Sequence, residues 1–286
     1  MLIAFTCGIP VLLRGESNLL PAVPLWKSFF KRLILKWLFK RVSVFLAIGK
    51  YNAEFYRFYG VPEEKIFLVP YTVNNDFFIS KAKELLPKRI ELRKKYNILE
   101  HIPLILFSGK LIDVKKTMDL LKAFEIVSKE TRAALVFVGD GKLRKELENY
   151  TDKNDIKNVY FTGFRNQTEL PEFYAIADVF VLPSVHEPWG LVVNEAMCFG
   201  LPVIVSDQVG AGGDLVKDGI NGYIYPACNI NELAKLLKKL ISDKEKINQM
   251  GQASLNIITK WSYKEGVEGV LNCSKMIDYE LNKTLG

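Results

Sequence analysis

Short, fully apolar segments alternate with helical segments along most of the chain, and this alternation restricts the fold more than any other feature. PLILF, ALVFV, VFVL and PVIV are four such apolar segments. Strands without a polar face are typical of parallel sheets that are covered by helices on both sides. We therefore predict an α/β fold, and we expect its ligands to bind beyond the carboxyl ends of the strands.

The alternating segments form two blocks of unequal completeness. Residues 1–76 contain three strand-like segments, among them IPVLLRG, which we expect to be a buried strand. Three strands are too few for a closed doubly wound domain, whereas residues 77–262 contain a full set. We predict two Rossmann-like domains, with residues 263–286 forming a C-terminal helix that joins the first. Because that first domain is incomplete, we expect that residues are missing upstream.

Bulk composition restricts the class of protein. With 49% hydrophobic and 25% charged residues, the 286-residue chain is globular, and its net charge is +7. Such a charge suits nucleic acid, anionic lipid or phosphorylated small molecules. No nucleic-acid-binding motif accompanies it, so we expect no nucleic-acid partner.

Cysteine and histidine usage indicates the compartment and limits metal binding. Four scattered cysteines without paired or metal-ligand spacing predict reduced thiols in a cytoplasmic protein. Two histidines are too few for a histidine-rich metal site. The chain has no apolar run long enough to span a bilayer and no recognisable signal peptide.

A predicted helix over residues 25–42 is both basic and aromatic. Two interpretations remain open. A basic amphipathic helix with tryptophans can lie on an anionic membrane surface, which would place the protein at the inner face of the membrane. Alternatively, the helix covers a sheet and turns its cations to water, as the strands on either side of it favour.

The segment from Val181 to Pro226 carries the strongest functional signal. After the strand VFVL comes a loop with Glu187 and Gly190, and a short helix then contains Glu195. The amides of Leu191 and Val192 would begin this helix, and unpaired amides at a helix N-terminus bind anions. Two carboxylates nearby accept hydrogen bonds from hydroxyls. Anion and hydroxyl recognition together describe a sugar nucleotide.

Three further loops follow apolar strands. Gly109, Lys110 and Lys115 follow PLILF, and their two cations suit a diphosphate, although alone they also suit a solvated surface loop. Asp140 follows ALVFV and either caps the next helix or faces a base. Phe164 and Arg165 follow NVYFTG and either line a nucleobase pocket or belong to a plain loop. No Asp-x-Asp motif or other divalent-cation site is evident, so we expect neither a metal nor a cofactor.

Taken in order, these segments resemble retaining glycosyltransferases of family four, which have the GT-B fold. The resemblance covers most of the chain and is densest over residues 104–226. The matching motifs are Gly109-Lys110-Leu111, Lys115-Lys116, Ala123-Phe124, Val138-Gly139-Asp140-Gly141, Phe161-Thr162-Gly163, Ala177-Asp178, Pro183-Ser184 and the Glu187–Glu195 pair.

The resemblance implies a role for each motif. Lys110 and Lys115 would hold the diphosphate of a UDP- or GDP-linked sugar, and Glu187 would contact the sugar. Gly190 to Val192 would supply amides, and Glu195 would bind the ribose hydroxyls.

The implied reaction is metal-independent transfer of a hexosyl group, with retention, to a cell-envelope glycan or a lipid-linked acceptor. The chain departs from the family pattern in having Lys110 for an arginine and Lys116 for a glycine. Arg14 and Glu16 align loosely with an acceptor-side position. Since the opening strand and glycine-rich loop are not found, an alternative is a donor-binding half that is inactive without a separate N-terminal partner.

Overall fold

The computed structural model describes residues 4, 7, 9–20 and 25–285, with the backbone alone for residues 25–30 and 279–285. The chain divides into two compact units. Unit 1 consists of Met1–Thr72 together with Trp261–Gly286, and unit 2 consists of Val73–Lys260. The boundaries expected from the sequence are at residues 76 and 262.

Unit 1 contains a three-stranded parallel sheet in the order β1-β2-β3. Its strands are β1 (Leu12–Arg14), β2 (Val44–Ala47) and β3 (Ile66–Leu68), and its helices are α1 (Leu25–Phe39), α2 (Lys50–Phe58) and α12 (Tyr263–Leu285). Phe45 of β2 is in register with Leu13 on one side and Ile66 on the other. None of the helices in the described part of the chain is long and apolar enough to cross a membrane.

The expectation that IPVLLRG forms a buried strand is wrong. Leu12 is 44% exposed, and the exposed and half-buried residues of β1 alternate. The reason is its position, since β1 is the outer strand of the sheet described here while β2 lies in the middle. Val44, Phe45 and Ala47 of β2 are buried.

Aromatic rings form the core of unit 1. The ring of Phe39 meets Phe45 edge-on, with centroids 4.9 Å apart, and meets Tyr56 in the same way at 5.9 Å. The helix α1 ends at Phe39, before the expected residue 42, because the amides of Arg41 and Val42 bond to carbonyls three residues earlier instead of four. The amide of Val42 bonds to the carbonyl of Phe39 at 3.1 Å, which brings the valine side chain into the core.

Unit 2 contains a six-stranded parallel sheet in the order β6-β5-β4-β7-β8-β9. The strands are β4 (Leu104–Ser108), β5 (Ala134–Val138), β6 (Val159–Phe161), β7 (Val179–Leu182), β8 (Val203–Ser206) and β9 (Gly222–Tyr225). The chain moves outward from β4 in one direction and then, from β7, in the other. This is the doubly wound order, and it has a switch point between β4 and β7.

Helices connect these strands. They are α3 (Asn75–Leu85), α4 (Arg89–Lys95), α5 (Thr117–Ser128), α6 (Arg144–Lys153), α7 (Leu170–Ile176), α8 (Leu191–Cys198), α9 (Gly212–Leu215), α10 (Ile230–Ile241) and α11 (Lys244–Ile258). The helices α3, α4 and α11 were not predicted from the sequence. Asn74, Asn229 and Asp243 cap α3, α10 and α11 by accepting a bond from a first-turn amide.

A buried arginine joins α4 to the sheet. Arg93 is only 3% exposed, and burial is the main cause that lowers its pKa below the usual arginine value. It donates to the carbonyls of Ile176 and Ile102, and its Nη2 lies 2.8 Å from Oδ2 of Asp178. The same carboxylate oxygen accepts the amide of Leu104 at 2.8 Å. Asp178, part of the Ala-Asp motif, therefore fixes the starts of two neighbouring strands.

We expect Asp178→Ala to lower the free energy of unfolding by about 3 kcal/mol, because it leaves a buried guanidinium without its counter-charge. Urea denaturation measures this loss. Glu84→Ala is the control, since it removes an exposed pair with Lys81 and should leave the free energy of unfolding nearly unchanged. Equal effects of the two changes would contradict the structural role of Asp178.

Candidate active site

The switch point of unit 2 lies between the loops that follow β4 and β7. These strands are neighbours, with Ile105 in register with Val179. Their loops are bonded to each other, since the amide of Val185 donates to the carbonyl of Val114 at 2.8 Å. Loops that leave a sheet on opposite sides of a switch point form a crevice at the carboxyl ends of the strands.

An ion pair joins the two loops at this point. Nζ of Lys115 donates to Oε2 of Glu187, and both side chains are mostly buried, with 19% and 14% exposure. Oγ of Ser184 lies 3.3 Å from the same carboxylate oxygen. Two residues that are distant in sequence, each named as a donor-site candidate, are therefore in direct contact.

The position of Glu187 is fixed by its backbone. Its amide donates to the carbonyl of Gln208 at 3.2 Å, and its carbonyl accepts from Gly210 at 2.9 Å. A Cβ on Gly210 would lie 1.9 Å from the carbonyl oxygen of Pro188, so only glycine permits this approach. The glycine-rich turn after β8 thus supports the carboxylate.

Gly190 begins α8 in a conformation that favours glycine. Its φ is 101°, and a Cβ there would lie 2.9 Å from a methyl group of Leu182. The amides of Leu191 and Val192 belong to the first turn of the helix, where no carbonyl of the helix can accept them. Buried Asn194 accepts the indole N–H of Trp189 at 3.0 Å and so holds the loop against α8.

Glu195 lies in α8 and has its own partner. The hydroxyl of Tyr174 in α7 donates to Oε2 of Glu195 at 2.7 Å. Burial raises the pKa of Glu195 to about 7, and the bond from Tyr174 opposes part of this shift. Burial also raises the pKa of the neighbouring Cys198 thiol to about 12, so this cysteine stays protonated.

The loops after β4 and β5 pack closely against each other. A Cβ on Gly139 would lie 1.9 Å from the carbonyl oxygen of Gly109, and one on Gly141 would lie 2.4 Å from that of Leu111. The amide of Leu111 donates to the carbonyl of Asp140 at 2.9 Å. Lys110 extends from this fixed loop with an exposed side chain.

Lys116 adopts a left-handed conformation, with φ 49° and ψ 38°, where α5 begins. This explains in physical terms why a glycine suits this position, since only glycine adopts the conformation without strain. The lysine found here holds the same backbone turn at an energetic cost.

The carboxylate of Asp140 makes hydrogen bonds to its own loop and to the start of the next helix. Its Oδ1 accepts the amide of Gly141 at 2.7 Å, and its Oδ2 lies 3.1 Å from Nη1 of Arg144. These two partners, the amide first, hold the pKa of Asp140 below its usual range. The carboxylate thus stabilises the loop and the first turn of α6.

Phe164 and Arg165 differ in their surroundings. Phe164 is 77% exposed. Arg165 contacts two residues that follow it closely in sequence. Its Nη1 lies 3.2 Å from Oε1 of Glu169, and its guanidinium carbon lies 5.7 Å from the ring centre of Phe173. These contacts suit a structural loop, and the exposed Phe164 ring is the member of the pair that remains available to a ligand.

Arg14 and Glu16 both meet one tyrosine in unit 1. The guanidinium carbon of Arg14 lies 5.7 Å from the ring centre of Tyr71. A hydrogen bond with Glu16 is the main cause that raises the pKa of that tyrosine. The loop that follows Glu16 is held by Asn52, which donates to the carbonyl of Ser17 at 2.7 Å.

Sequence reasoning missed Tyr174 and Ser206, and it named Ser184 as part of a motif without giving it a role. Ser206 donates from its hydroxyl to the carbonyl of Ser184 and is fully buried. A tyrosine among the apolar residues of a short helix is a usable signal, because a buried tyrosine hydroxyl needs a partner. Among the residues that the structure describes, no three acidic, histidine or cysteine side chains are grouped so that they could hold a metal ion.

The family model for glycosyl transferases group 1 matches residues 88–256, which include every unit 2 residue of the candidate active site. The chain belongs to this family. It is 31% identical over 224 residues to an uncharacterized glycosyltransferase of Methanocaldococcus jannaschii, covering 76% of this chain and 56% of that protein. It is 26% identical to the alpha-D-kanosaminyltransferase of Streptomyces kanamyceticus, covering 86% and 64%. The chain thus spans about half to two thirds of these two relatives.

Solved structures agree on the fold. The group 1 family member is similar to the Anabaena protein HepE crystallised with UDP, with a TM-score of 0.74 at 20% identity, covering 99% of this chain and 74% of that one. It also resembles the C-terminal domain of a group 1 protein from Francisella tularensis, with a TM-score of 0.55 at 25% identity, covering 60% and 91%. The predicted GT-B fold and the resemblance to family four are confirmed.

We expect Lys116→Gly to be more stable than Lys116→Ala by about 1 kcal/mol, because glycine removes the left-handed strain that both lysine and alanine bear. Thermal and urea unfolding of the two variants measure the difference. The alanine variant controls for the lost charge. Equal stabilities would mean that the backbone at residue 116 is not held in this conformation.

We expect Glu195→Gln to change how stability depends on pH. The pKa of this carboxyl rises from 4.5 to about 7 on folding, so its proton stabilises the fold fully below pH 4.5, and this contribution is lost as the pH rises through 7. Between pH 5 and pH 8 the wild-type protein should lose about 2 kcal/mol that the variant retains.

The control for this experiment is Glu169→Gln. The pKa of Glu169 is held low by the Asn166 amide and by Arg165, so this group stays ionised in the same pH range. Urea unfolding at pH 5, 6, 7 and 8 compares the variants. Parallel curves for wild type and Glu195→Gln would show that Glu195 titrates normally.

Proposed function

We propose that this group 1 glycosyltransferase moves a hexosyl group from a nucleotide-diphosphate sugar to a glycan or a lipid-linked acceptor. In this proposal the anomeric configuration is retained and no metal takes part. The observation that carries the proposal is the Lys115–Glu187 ion pair at the switch point of unit 2, beside the first-turn amides of α8.

The diphosphate of the donor would bind to the cations and amides. Lys115 lies at the crevice and Lys110 extends from the neighbouring loop, while α8 adds the positive end of its dipole. Such groups stabilise the negative charge that develops on a departing diphosphate. They supply the charge that a divalent cation would otherwise provide, which supports a metal-independent reaction.

Retention follows from attack on the face that the diphosphate leaves. The bond from the anomeric carbon to the phosphate oxygen breaks, a bond to the acceptor oxygen forms, and the acceptor proton passes to the departing phosphate. Glu187 would orient the sugar through hydroxyl hydrogen bonds. No protein nucleophile is needed in this scheme.

The nucleoside would be held further along α8. Glu195 accepts a hydrogen bond from Tyr174 through one oxygen, and its other oxygen would accept from the ribose hydroxyls. We propose uridine as the base, with guanosine as the second choice. The support is that structures similar in fold, those of HepE and of Staphylococcus aureus TarM, were crystallised with UDP.

The cytoplasm is the proposed compartment. All four cysteines of the chain are free thiols, two of them buried, as expected of a reducing environment. The acceptor proposal extends to cell-envelope polysaccharide. In support, the lipopolysaccharide outer core galactosyltransferase WaaB has a similar fold, with a TM-score of 0.65 at 19% identity.

We expect the purified chain to hydrolyse or transfer a UDP- or GDP-sugar at the same rate with and without EDTA, and to give a product with the donor's anomeric configuration by proton NMR. Glu187→Gln should lower the rate at least 100-fold, because the sugar loses its orienting carboxylate. Calorimetry should find its affinity for UDP within threefold of wild type.

Glu130→Gln is the matched control, since this exposed carboxylate pairs with Lys238 away from the switch point. A Glu187→Gln enzyme as fast as this control would refute the role given to Glu187. Inversion of configuration, or loss of turnover in EDTA, would refute the corresponding part of the proposal.

A second candidate is a donor-binding half that needs a separate N-terminal partner for turnover. It is favoured by the small sheet of unit 1, which has three strands in the described residues against six in unit 2. UDP binding without turnover, restored when a fragment carrying the remaining strands is added, would support it. Turnover by this chain alone would eliminate it.

A further inference from the structure

The helix α1 presents apolar side chains on the side that faces away from the core of unit 1. Leu33 is 54% exposed, Ile34 is 62% exposed and Trp37 is 51% exposed. A soluble helix normally exposes polar residues there. Three large neighbouring apolar side chains on one helix face therefore indicate a binding surface.

The opposite face of the same helix already has a partner. Phe39 is buried in the aromatic core of unit 1, and Leu35 and Leu38 pack against that core. The exposed leucine, isoleucine and tryptophan are thus additional to the residues that the fold needs. They form a second apolar face.

Cations surround this second face. Lys36 and Lys40 are exposed one turn apart, and Arg41 stacks on Trp37 with its guanidinium carbon 3.6 Å from the ring centre. The helix α1 contains no acidic residue. Residues 31–65 contain eight lysines and arginines against three glutamates, and one of these, Glu63, is bound by Arg57.

A groove of about 610 Å³ runs beside the exposed face. Leu33 and Trp37 of α1, together with Phe45 of β2 and Val61, supply its apolar lining, and Lys36, Lys40 and Lys65 supply cations. This combination fits a phosphate group attached to a hydrocarbon, since the ammonium groups pair with the phosphate and the apolar lining accepts the chain.

We propose that the outward face of α1 and this groove form a docking surface for a membrane that contains anionic phospholipid. Leucine, isoleucine and tryptophan side chains enter the boundary between headgroups and acyl chains, and lysines bind the phosphates around them. The helix lies on the membrane. The inference concerns unit 1 alone and does not rest on the proposed transferase reaction.

Flotation with lipid vesicles tests the surface directly. We expect the full chain to bind vesicles of phosphatidylcholine with 30% phosphatidylglycerol on the order of 100-fold more tightly than vesicles of phosphatidylcholine alone, and to dissociate as salt is raised. Lys36→Gln with Lys40→Gln should weaken binding roughly 30-fold, at about fivefold for each charge. Leu33→Ser with Trp37→Ser should weaken it at least tenfold.

The charge control is Lys153→Gln with Lys260→Gln, two exposed lysines of unit 2 that remove the same charge elsewhere. This control should bind vesicles as wild type does. Far-ultraviolet circular dichroism and unfolding curves that match wild type keep each variant interpretable. Brominated lipid should quench wild-type tryptophan fluorescence more than that of Trp37→Phe, which places this ring in the bilayer.

Three results would overturn the proposal. Vesicle binding that does not depend on lipid charge would refute it, as would equal loss in the Lys153/Lys260 control. The third is a concentration-dependent dimer, detected by sedimentation and abolished by Leu33→Ser with Trp37→Ser, in a chain that ignores vesicles. That outcome would assign the surface to a second copy of the chain.

Discussion

The reversal of strand order between β4 and β7 is the constraint on which the candidate site depends. Neighbouring parallel strands whose connections leave in opposite directions cannot cover each other's ends, so a crevice remains between their loops. Lys115 and Glu187 come from those two loops, 72 residues apart in sequence, and meet there. The order of the sheet thus brings the charges together without any local motif that would place them.

Close backbone packing then fixes these charges before a ligand arrives. Glycines at 109, 139 and 141 let two loops touch main chain to main chain, and Gly210 does the same for the loop that carries Glu187. Charged groups held by such contacts need little reorganisation when charge develops nearby, which is the condition for electrostatic catalysis. The Lys115–Glu187 pair also compensates two mostly buried charges in the free protein, and a donor would supply each with a new partner.

The strands, and the loops with candidate site residues that follow them, could be predicted from the sequence because apolar runs carry a local signal. The helix α11 was not predicted, because residues 244–258 are largely polar. The strand β1 was wrongly predicted to be buried, because its exposure depends on which strands lie beside it. The partner of Glu195 was also missed, since Tyr174 lies on another helix 21 residues earlier. Edge positions and side-chain partners are properties of tertiary contacts, which periodicity and propensity do not contain.

The two proposals concern different units and different physics. In unit 2, the charges of Lys115 and Glu187 are mostly buried and fixed, which suits recognition of a small anionic donor. In unit 1, α1 exposes flexible lysines around apolar side chains, which suits a fluid surface with many phosphates and no single geometry. A lipid-linked acceptor is concentrated at such a surface, so docking would raise its local concentration without any change in the chemistry. In these two proposals the basic charge of the chain has two separate uses, one in fixed loops and one on an exposed helix.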